Sequence, residues 1–541
     1  MKGPRAAGHA GARFWLPALI ALAALAVRIG TIGHSLVWDD LLILRDLQST
    51  VQERGLLGVV TSKFIVTKAT YFRPVVMLSF WSDTLLSGSI PVSYHLTNIL
   101  VHTANAVLVY VLGFHLLGSA AAAFIGALLF AVDPVHTESV AFVSGRTDLF
   151  ATFFVLIAVI GWARMRCGLE TNRLVGTTVG AAALFLGALS KETAFLAPAF
   201  LIFWGLIDPA RPRGASTWLR WNKPWLISWP CTLAVALLLR SLALSGSGVP
   251  KLGGNVSSLS LDNLWGLVKT WLLYVRLLVI PWPLNTYYTE NQMGISAATV
   301  TGVIIFVAVV WIANRAQPRF GLFVLGWVGC FLLPVAGIVP LNAAVLAERY
   351  LYLPSVASCL AIGLALRQAR TVPSLRPAAY PATAALVAAM AVGSVAQGAV
   401  WKNEETLFRT MVQTSPQASI GYGNLALTLR LQGRFLETIP LYQNALMLEP
   451  GSAVLHNDLG NALSEVGRGS EAIDQYLVAI RLNPTMVQAH YNLADSYDQT
   501  GQYPAALKEY LEVLRYDPGN NNARLRAGVL LGEGYGAEGT P

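Results

Sequence analysis

Eleven apolar runs separated by short polar loops dominate the first 400 residues and constrain the fold more than any other feature. An apolar helix of about 20 residues crosses a bilayer. The runs lie near 14–31, 95–113, 119–132, 149–163, 176–189, 193–207, 225–243, 298–314, 320–338, 353–366 and 379–400. Of the 541 residues 12% are charged, whereas soluble domains are about a quarter charged. The sequence therefore predicts an all-α, multi-spanning membrane domain over 1–400.

Arginine and lysine cluster in alternate loops, and this pattern predicts the orientation of the chain. Positive charge is in excess in cytoplasmic loops. The clusters are Arg164, Arg166 and Arg173; Arg211, Arg213, Arg220 and Lys223; Arg315 and Arg319; Arg367, Arg370 and Arg376. A further run at 262–282 contains Lys269 and Arg276, so we expect it to lie along the interface. Eleven spans then leave the N-terminus and the clusters cytoplasmic, and the net charge of +9 needs no nucleic-acid partner.

The last 140 residues carry a different pattern, a 34-residue period. The repeated positions are Pro416, Pro450, Pro484 and Pro518; Gly433, Gly467 and Gly501; Leu425, Leu459 and Leu493; Tyr442, Tyr476 and Tyr510. This period is typical of the tetratricopeptide repeat (TPR), two antiparallel helices per unit. We expect a TPR domain over 401–541, with three full repeats at about 417–518 and a capping helix. Its concave surface would bind a protein or peptide, although a structural spacer is an alternative.

Trp38-Asp39-Asp40 follows the first apolar run and opens the first outer loop. An ionised carboxylate cannot rest in hydrocarbon, so the pair must meet water, cations or a ligand. Asp39 and Asp40 are therefore candidate catalytic residues. Asp is also a good N-cap, so the pair could instead begin the next helix.

Four cations lie in the predicted outer loops: Arg73, Arg146, Lys191 and Arg349. A guanidinium matches phosphate oxygens through two parallel hydrogen bonds, and an ammonium adds a compact charge. Arg146 with Asp148 could bind a charged donor. Lys191 could instead pair with its neighbour Glu192, and Arg73 could anchor the chain at the interface.

His136 and Glu138 in the second outer loop raise the possibility of a metal site. No third ligand accompanies them, so we expect no metal and keep both as candidate substrate contacts. Tyr352 lies beside Arg349, where aromatic belt residues are also common. Tyr352 is the last of the candidate substrate-binding residues.

Several short motifs occur in an order that resembles the transmembrane and TPR-containing (TMTC) family, a branch of the GT-C O-mannosyltransferases. They are Trp38-Asp39-Asp40, Tyr71-Phe72-Arg73-Pro74, Tyr94-His95-Leu96-Thr97-Asn98, Asp133-Pro134-Val135-His136-Thr137-Glu138, Ser144-Gly145-Arg146-Thr147-Asp148, Ser190-Lys191-Glu192 and Glu348-Arg349-Tyr350-Leu351-Tyr352. One departure is Asp133, where that family more often has His. The array is also shorter than in animal members, which favours a bacterial relative.

The resemblance implies an inverting transfer of a sugar, mannose above all, from a polyprenyl-phosphate donor to Ser or Thr of an exported protein. By analogy Asp39 would be the general base, Asp40 would position either that base or the acceptor, and Arg146, Lys191 and Arg349 would hold the phosphate. The repeats would capture the acceptor, and the lipid-linked donor would be a co-substrate with no cofactor. The expected location is a bacterial inner membrane, with the repeats outside the cytoplasm.

Two other functions are compatible with the sequence. The chain could be a non-catalytic, membrane-anchored TPR scaffold, in which case the acidic pair is dispensable. It could also be a GT-C transferase that acts on lipid or glycan acceptors.

Overall fold

The structure is a computed structural model that describes residues 10–62, 64–66, 69–166, 173–207, 215–244, 261–289, 292, 294–335 and 346–535. Arg211 and Arg213 of the predicted cytoplasmic clusters lie outside these residues. The chain divides into two compact units, Met1–Asn403 and Glu404–Pro541. The described residues are helical apart from connecting segments and one short two-stranded ribbon, which confirms the all-α class.

The first unit consists of helices joined by short connections. Its α-helices are α1 (Ala10–Arg28), α2 (Asp39–Thr61), α3 (Pro74–Ser87), α4 (Pro91–Leu117), α5 (Ala120–Val132), α6 (Thr137–Ala141), α7 (Arg146–Arg166), α8 (Arg173–Ala188), α9 (Ala197–Ile207), α10 (Ala215–Leu244), α11 (Leu261–Leu277), α12 (Ala297–Ala316), α13 (Phe320–Leu332), α14 (Ser355–Ala369) and α15 (Arg376–Val400). Single 3-10 turns lie at Ile29–Gly33, Pro134–His136, Val143–Gly145, Glu192–Leu196, Leu333–Val335 and Glu348–Leu351. The ribbon pairs β1 (Phe64–Val66) with β2 (Ala69–Tyr71) in antiparallel register.

Among the described residues, six helices are long and apolar enough to cross a membrane, and a bent pair could add a seventh span. The six are Trp15–Gly33, Pro91–Leu117, Val143–Met165, Asn222–Leu244, Ala297–Ala316 and Arg376–Val400; the bent pair is Ala120–Val132 with Pro134–Ala141. Shorter apolar helices lie at Leu174–Ala188, Glu192–Ile207, Phe320–Leu332 and Ser355–Ala369. Each predicted apolar run therefore falls on one of these helices, and the number that span stays a prediction.

The core of the first unit forms where α5 packs against α4 and α14. Gly126 and Gly363 lie at the α5–α14 crossing, where a Cβ on Gly363 would come within 2.5 Å of the Gly126 nitrogen. Small residues let membrane helices approach this closely. The core thereby fixes the loops that begin at the end of α5 and at the start of α14.

A smaller apolar cluster holds α2, the ribbon and α3 together. Ile43 and Leu47 of α2 pack with Phe64 of β1 and Phe80 of α3, and all four are buried. This cluster places the start of α2, with the acidic pair, against the rest of the first unit.

The second unit is a helical array, which confirms the TPR prediction. Its helices are α16 (Glu404–Thr414), α17 (Ser419–Leu431), α18 (Phe435–Leu448), α19 (Ala453–Glu465), α20 (Gly469–Leu482), α21 (Val487–Gln499), α22 (Tyr503–Tyr516) and α23 (Asn521–Gly532). Gly433, Gly467 and Gly501 have φ of 78°, 81° and 75°. This left-handed conformation favours glycine and turns the chain between the two helices of each repeat, which explains the glycine period.

Candidate functional site

Trp38 adopts a backbone conformation that is unusual for a residue with a side chain. Its φ is 56°, in the left-handed region, and α2 begins at the next residue. Such a conformation costs on the order of 1–3 kcal/mol and persists when surrounding contacts enforce it. Asp39 is half-buried and Asp40 is buried in the first turn of α2. The N-cap interpretation of the pair is wrong, because Trp38 is the N-cap residue without a side-chain cap hydrogen bond, and Asp39 and Asp40 are the first two residues of the helix.

Asp40 connects the segment that precedes α2 to the segment between α6 and α7. Its Oδ1 accepts hydrogen bonds from the backbone amide of Ser144 at 2.8 Å and from the Ser144 hydroxyl at 2.5 Å. Its Oδ2 accepts from the amides of Val37 and Val143, each at 3.3 Å. Burial raises the pKa of the Asp40 carboxyl to about 7, although these hydrogen bonds oppose the shift.

The last helix of the first unit, α15, ends beside the segment that precedes α2. The amide of Ser35 donates to the carbonyl of Lys402 at 3.0 Å, and the Trp401 ring stacks on Phe142 with 5.5 Å between centroids. The end of α15 and the acidic pair therefore lie at the same end of the first unit.

Arg146 is fully buried beneath this loop. Its Nη1 forms an ion pair with Asp83 at 2.6 Å and donates to Ser79, its Nε donates to Asn98 at 2.8 Å, and its Nη2 donates to the Tyr94 carbonyl at 2.7 Å. The guanidinium is thus used within the packing of α3, α4 and α7. Its burial favours a positioning role over the phosphate contact that the resemblance implied, and that contact stays untested.

Lys191 and Arg349 approach the same tyrosine and form the centre of the site. The Lys191 Nζ lies 4.9 Å from the Tyr350 ring centroid and 2.5 Å from Asp148 Oδ1. The Arg349 guanidinium lies 5.3 Å from the same centroid and pairs with Glu138, which also accepts the Arg349 backbone amide at 2.9 Å. These residues come from four different segments, so the fold assembles two cation–carboxylate pairs around one aromatic ring.

Arg73 belongs to a neighbouring ion-pair group. Its Nη2 lies 3.0 Å from Glu192 Oε2, and Arg240 Nη1 lies 2.6 Å from Glu192 Oε1. The Arg73 guanidinium stacks over the Tyr71 ring at 4.2 Å. Burial raises the pKa of the Tyr71 hydroxyl, and the charges of Arg73, Glu192 and Arg349 also act on it. Tyr71 therefore lies between this group and the Lys191–Arg349 group.

The Lys191–Glu192 pairing considered from the sequence does not form. Lys191 pairs with Asp148, and Glu192 pairs with Arg73 and Arg240. Adjacent residues in the extended segment after α8 point apart, and each finds its partner on another helix.

His136 and Tyr352 lie inside the helical core and form no ion pair in the described part of the chain. The two rings are 4.6 Å apart, and His136 Nε2 bonds to the Ser355 hydroxyl at 2.8 Å. The Tyr352 hydroxyl bonds to His102 Nδ1 at 2.8 Å and to Asn105 at 3.2 Å. Both predicted residues are fully buried, so in this structure they support the turns that carry Glu138 and Arg349.

The segment 144–148 links the acidic pair to the cations. Ser144 binds Asp40, and Asp148 binds Lys191. Asp148 lies four positions after Ser144, which is about one helical turn. The chain thus connects the residue that binds Asp40 to the residue that pairs with Lys191, and Tyr350 lies between Lys191 and the Arg349–Glu138 pair.

Several charged residues near the site are not among the candidate site residues predicted from the sequence. Arg240 and Arg28 lie within predicted apolar runs, where a charge is a signal of function or of a buried partner. Arg28 donates to the Thr137 hydroxyl and so braces the loop after α5. Glu348 accepts hydrogen bonds from the Tyr288 hydroxyl and the Asn285 amide. Burial, and then the charge of the nearby Glu138, raise the pKa of Glu348 well above its usual range.

Within the described part of the chain, no group of three or more His, Cys, Asp or Glu side chains is arranged to hold a metal ion. His136 and Glu138, the pair considered from the sequence, contact Ser355 and Arg349 respectively.

A groove of about 840 Å³ opens between α2, α3, α8 and α10. Its lining residues are Asp46, Thr50, Arg54, Val60, Thr61, Ser62, Phe72, Pro74, Val75, Leu78, Phe185, Leu186, Leu189, Leu239, Leu242 and Ala243. Phe72 and Pro74 flank Arg73, while Leu239 precedes Arg240. The lining is therefore largely apolar, with Asp46 and Arg54 as its charged members, and it includes sequence neighbours of Arg73 and Arg240.

Comparison with known proteins finds a repeat family and several similar proteins. The family model described as tetratricopeptide repeat matches residues 457–521 and 491–531. Protein O-mannosyl-transferase Tmtc3 of Drosophila melanogaster is 24% identical over an alignment of 489 positions, and the match covers 76% of this chain and 53% of that protein. This chain is similar to the TMTC-type protein O-mannosyl-transferases.

Two further relatives support the same similarity. Protein O-mannosyl-transferase TMTC2 of Mus musculus is 25% identical over 78% of this chain and 61% of its own length. Protein O-mannosyl-transferase F38B6.6 of Caenorhabditis elegans is 27% identical over 70% of this chain and 54% of its own length. The chain thus spans between half and two thirds of the relatives it matches. Among solved structures, MamA is 24% identical over 24% of this chain and 77% of its own, with a TM-score of 0.23.

Proposed function

We propose that this chain is a membrane glycosyltransferase that moves mannose from a polyprenyl-phosphate donor to Ser or Thr hydroxyls of exported proteins. The observation that carries the proposal is the assembly of Lys191 and Arg349 around Tyr350, with Lys191 paired to Asp148, which lies four positions after the Ser144 that binds Asp40. A phosphate needs positive charge, and an acceptor hydroxyl needs a base. The similarity to proteins named O-mannosyl-transferases supports the choice of sugar and acceptor.

The cations would stabilise the leaving group. A phosphate bound at Tyr350 would replace the carboxylate of Asp148 as the partner of Lys191. It would replace Glu138 as the partner of Arg349 in the same way. Charge-assisted hydrogen bonds of this kind are strong, and the Arg349 side chain is 27% exposed, so a ligand can approach it. The charge that develops on the phosphate oxygen as the glycosidic bond breaks would then be neutralised in place.

Asp39 would act as the general base. The acceptor oxygen attacks the anomeric carbon from the side opposite the phosphate, the carbon–oxygen bond to phosphate breaks, and the phosphate leaves with the electron pair. The hydroxyl proton passes to the Asp39 carboxylate, and the anomeric configuration inverts. Asp40 would position Asp39, because its own oxygens bind Ser144, Val37 and Val143.

The groove between α2, α3, α8 and α10 would accept the donor lipid. An isoprenoid chain is apolar, and the wall formed by Phe72, Phe185 and Leu242 is apolar too. Arg73 and Arg240 at its edge would keep the phosphate near the cations. No metal and no cofactor enter this scheme.

The topology that suits the scheme has the N-terminus in the cytoplasm and the repeats outside it, in a bacterial inner membrane. The contact between Ser35 and Lys402 supports this arrangement, because the chain leaves the first unit beside the acidic loop. The repeats would hold the acceptor and raise its effective concentration near Asp39.

The test is a transfer assay with full-length protein in vesicles that contain polyprenyl-phosphate mannose. We expect a Ser/Thr-rich peptide to gain one hexose by mass spectrometry, without added divalent metal. A matched peptide with Ala at those positions should gain none. Hexose on a lipid or glycan instead would refute the protein acceptor, and the absence of transfer to any acceptor would favour the scaffold.

A further inference from the structure

The first helices of the repeats share one continuous face. Polar contacts join each first helix to the next along α17, α19, α21 and α23. The contacts are Arg430 with Glu465, Asn492 with Asn457, and Asp498 with Arg526. We call this surface the first-helix face. In repeat arrays such surfaces are extended and concave.

A group of side-chain amides lies in the middle of the first-helix face. Asn492 Nδ2 donates to Asn457 Oδ1 at 2.8 Å and to Asn461 Oδ1 at 2.9 Å. The Tyr476 hydroxyl also donates to Asn461 Oδ1, at 2.9 Å. Among the described residues, the Nδ2 of Asn461 and the Oδ1 of Asn492 take part in none of these hydrogen bonds. Both residues are half-buried, and the hydrogen bond between their amides holds one remaining donor and one remaining acceptor on neighbouring helices.

A donor and an acceptor in this arrangement match the peptide group of an extended chain. A backbone segment presents one N–H and one C=O per residue. A side-chain amide can bind both, because it carries a donor and an acceptor. The Asn461–Asn492 pair would therefore bind main chain and tolerate different side chains.

Apolar side chains flank the amides at both ends of the face. Leu431 on α17 is 72% exposed and Val454 on α19 is 57% exposed. At the other end, Leu525 on α23 is 69% exposed, with Val529 one turn further. An exposed apolar surface at each end offers contacts for the apolar side chains of a bound segment.

In the described part of the chain, two carboxylates outside any ion pair lie beside the amides. Asp458 and Asp495 share the first-helix face by their helical spacing from Asn461 and Asn492. Neither lies within ion-pair distance of a cation in the described part of the chain, although the charge of Arg430, which pairs with Glu465, also acts on Asp458. Asn457 and Gln499 donate hydrogen bonds to Asp458 and Asp495 respectively. Burial raises the pKa of Asp458, a carboxylate that a cation would stabilise.

We infer that the first-helix face binds an extended polypeptide segment that carries Lys or Arg, with its main chain on Asn461 and Asn492 and its cations beside Asp458 and Asp495. The inference rests on the proposed function in one respect, that the bound segment is the acceptor. It extends that proposal by naming the chemistry of the acceptor: a flexible, positively charged segment, read by its backbone and not by a fixed motif.

The experiment measures peptide binding to the full-length protein in lipid nanodiscs by fluorescence anisotropy. The probe is a labelled peptide of Ser, Thr, Leu and Lys. One comparison peptide has Glu in place of Lys, and another carries N-methyl groups along its main chain. We expect the basic peptide to bind with the highest affinity and the other two to bind more weakly.

Two double variants separate the parts of the face. Asn461→Ala with Asn492→Ala should weaken the basic peptide about tenfold and abolish the effect of N-methylation. Asp458→Asn with Asp495→Asn should reduce the difference between basic and acidic peptides, and its loss of affinity should shrink in high salt. The matched control is Asp474→Asn, which removes an exposed carboxylate from the second helix α20. Unchanged thermal unfolding confirms that each variant is folded.

Equal binding of all three peptides, or unchanged binding by both double variants, would overturn the inference. Asp39→Asn should bind peptide like the wild type, because binding does not require transfer. Binding without any transfer by the wild type would refute the enzyme and leave the first-helix face intact. Transfer without the expected binding pattern would do the reverse.

Discussion

Arg146 and Arg349 each pair with a carboxylate, but in opposite surroundings. The Arg146 side chain is 0% exposed and its partner Asp83 is 2% exposed. The Arg349 side chain is 27% exposed, although its partner Glu138 is buried. The first pair is enclosed by α3, α4 and α7, while the second opens toward Tyr350.

The difference separates groups that build the site from groups that could act in it. The N–H groups of Arg146 donate to residues of the helical core, so a ligand would have to displace these buried partners. Arg349 could exchange Glu138 for a ligand oxygen without moving a helix. A buried ion pair is strongly destabilising to break, whereas a partly exposed pair contributes little to stability. The same residue type can therefore be tested for two roles by measuring stability and transfer separately.

The largest effect is expected for the proposed base, Asp39. It would sharpen the contrast between residues that hold the fold together and residues that take part in the transfer. Asp39→Asn should lower the transfer rate by about 10²–10⁴-fold, because the amide cannot accept the hydroxyl proton. The transfer assay measures the rate, and thermal unfolding in detergent should stay unchanged. The matched control is Glu53→Gln, an exposed carboxylate on the same helix. Normal transfer by Asp39→Asn would remove Asp39 from the mechanism.

At the buried pair, the main effect is expected on stability. Arg146→Met should destabilise the first unit by about 3–5 kcal/mol, because Asp83 would remain buried without its cation. Thermal unfolding of the purified protein checks this. A variant with wild-type stability would show that the enclosed pair does not hold α3, α4 and α7 together.

The partly exposed pair should show the reverse pattern. Arg349→Gln keeps a donor toward Glu138 but removes the charge, so it should lower stability by about 1 kcal/mol. Transfer should fall on the order of 100-fold, because a donor to the leaving phosphate is weakened. Arg349→Lys, which keeps the charge, should retain more activity. Equal losses of stability in Arg349→Gln and Arg146→Met would break the comparison.

Much of the fold could be predicted because its causes are local. The glycines at 433, 467 and 501 recur because each turn needs a left-handed residue. The apolar runs mark the helices because a helix that lies in lipid or in the protein core must consist mostly of apolar residues. The close approach of α5 and α14 at Gly126 and Gly363 was not predictable, because it depends on two segments that are far apart in the chain.

The site was predictable in its segments and less so in its partners. The order of motifs indicated which loops carry the charges, and Asp148, Lys191 and Arg349 do lie together. It did not indicate that Lys191 would turn away from Glu192, or that Arg146 would be enclosed. Which of two neighbouring side chains faces which helix is decided by packing, and sequence spacing within one loop does not contain that information.

The smallest effect concerns pH and tests whether Asp40 belongs with the enclosed groups. Burial raises its pKa to about 7 in the folded protein, above its ordinary value of 3.8. Between these values the folded state binds more protons than the unfolded state, so this carboxyl makes the free energy of unfolding fall as pH rises from about 4 to about 7. Thermal unfolding measured across that range should show this slope in the wild type and a flatter one in Asp40→Asn. The variant should also be less stable throughout, because its amide nitrogen would face the amides of Val37 and Val143 or of Ser144. Parallel slopes in the two proteins would place Asp40 in contact with water, and with it the first turn of α2.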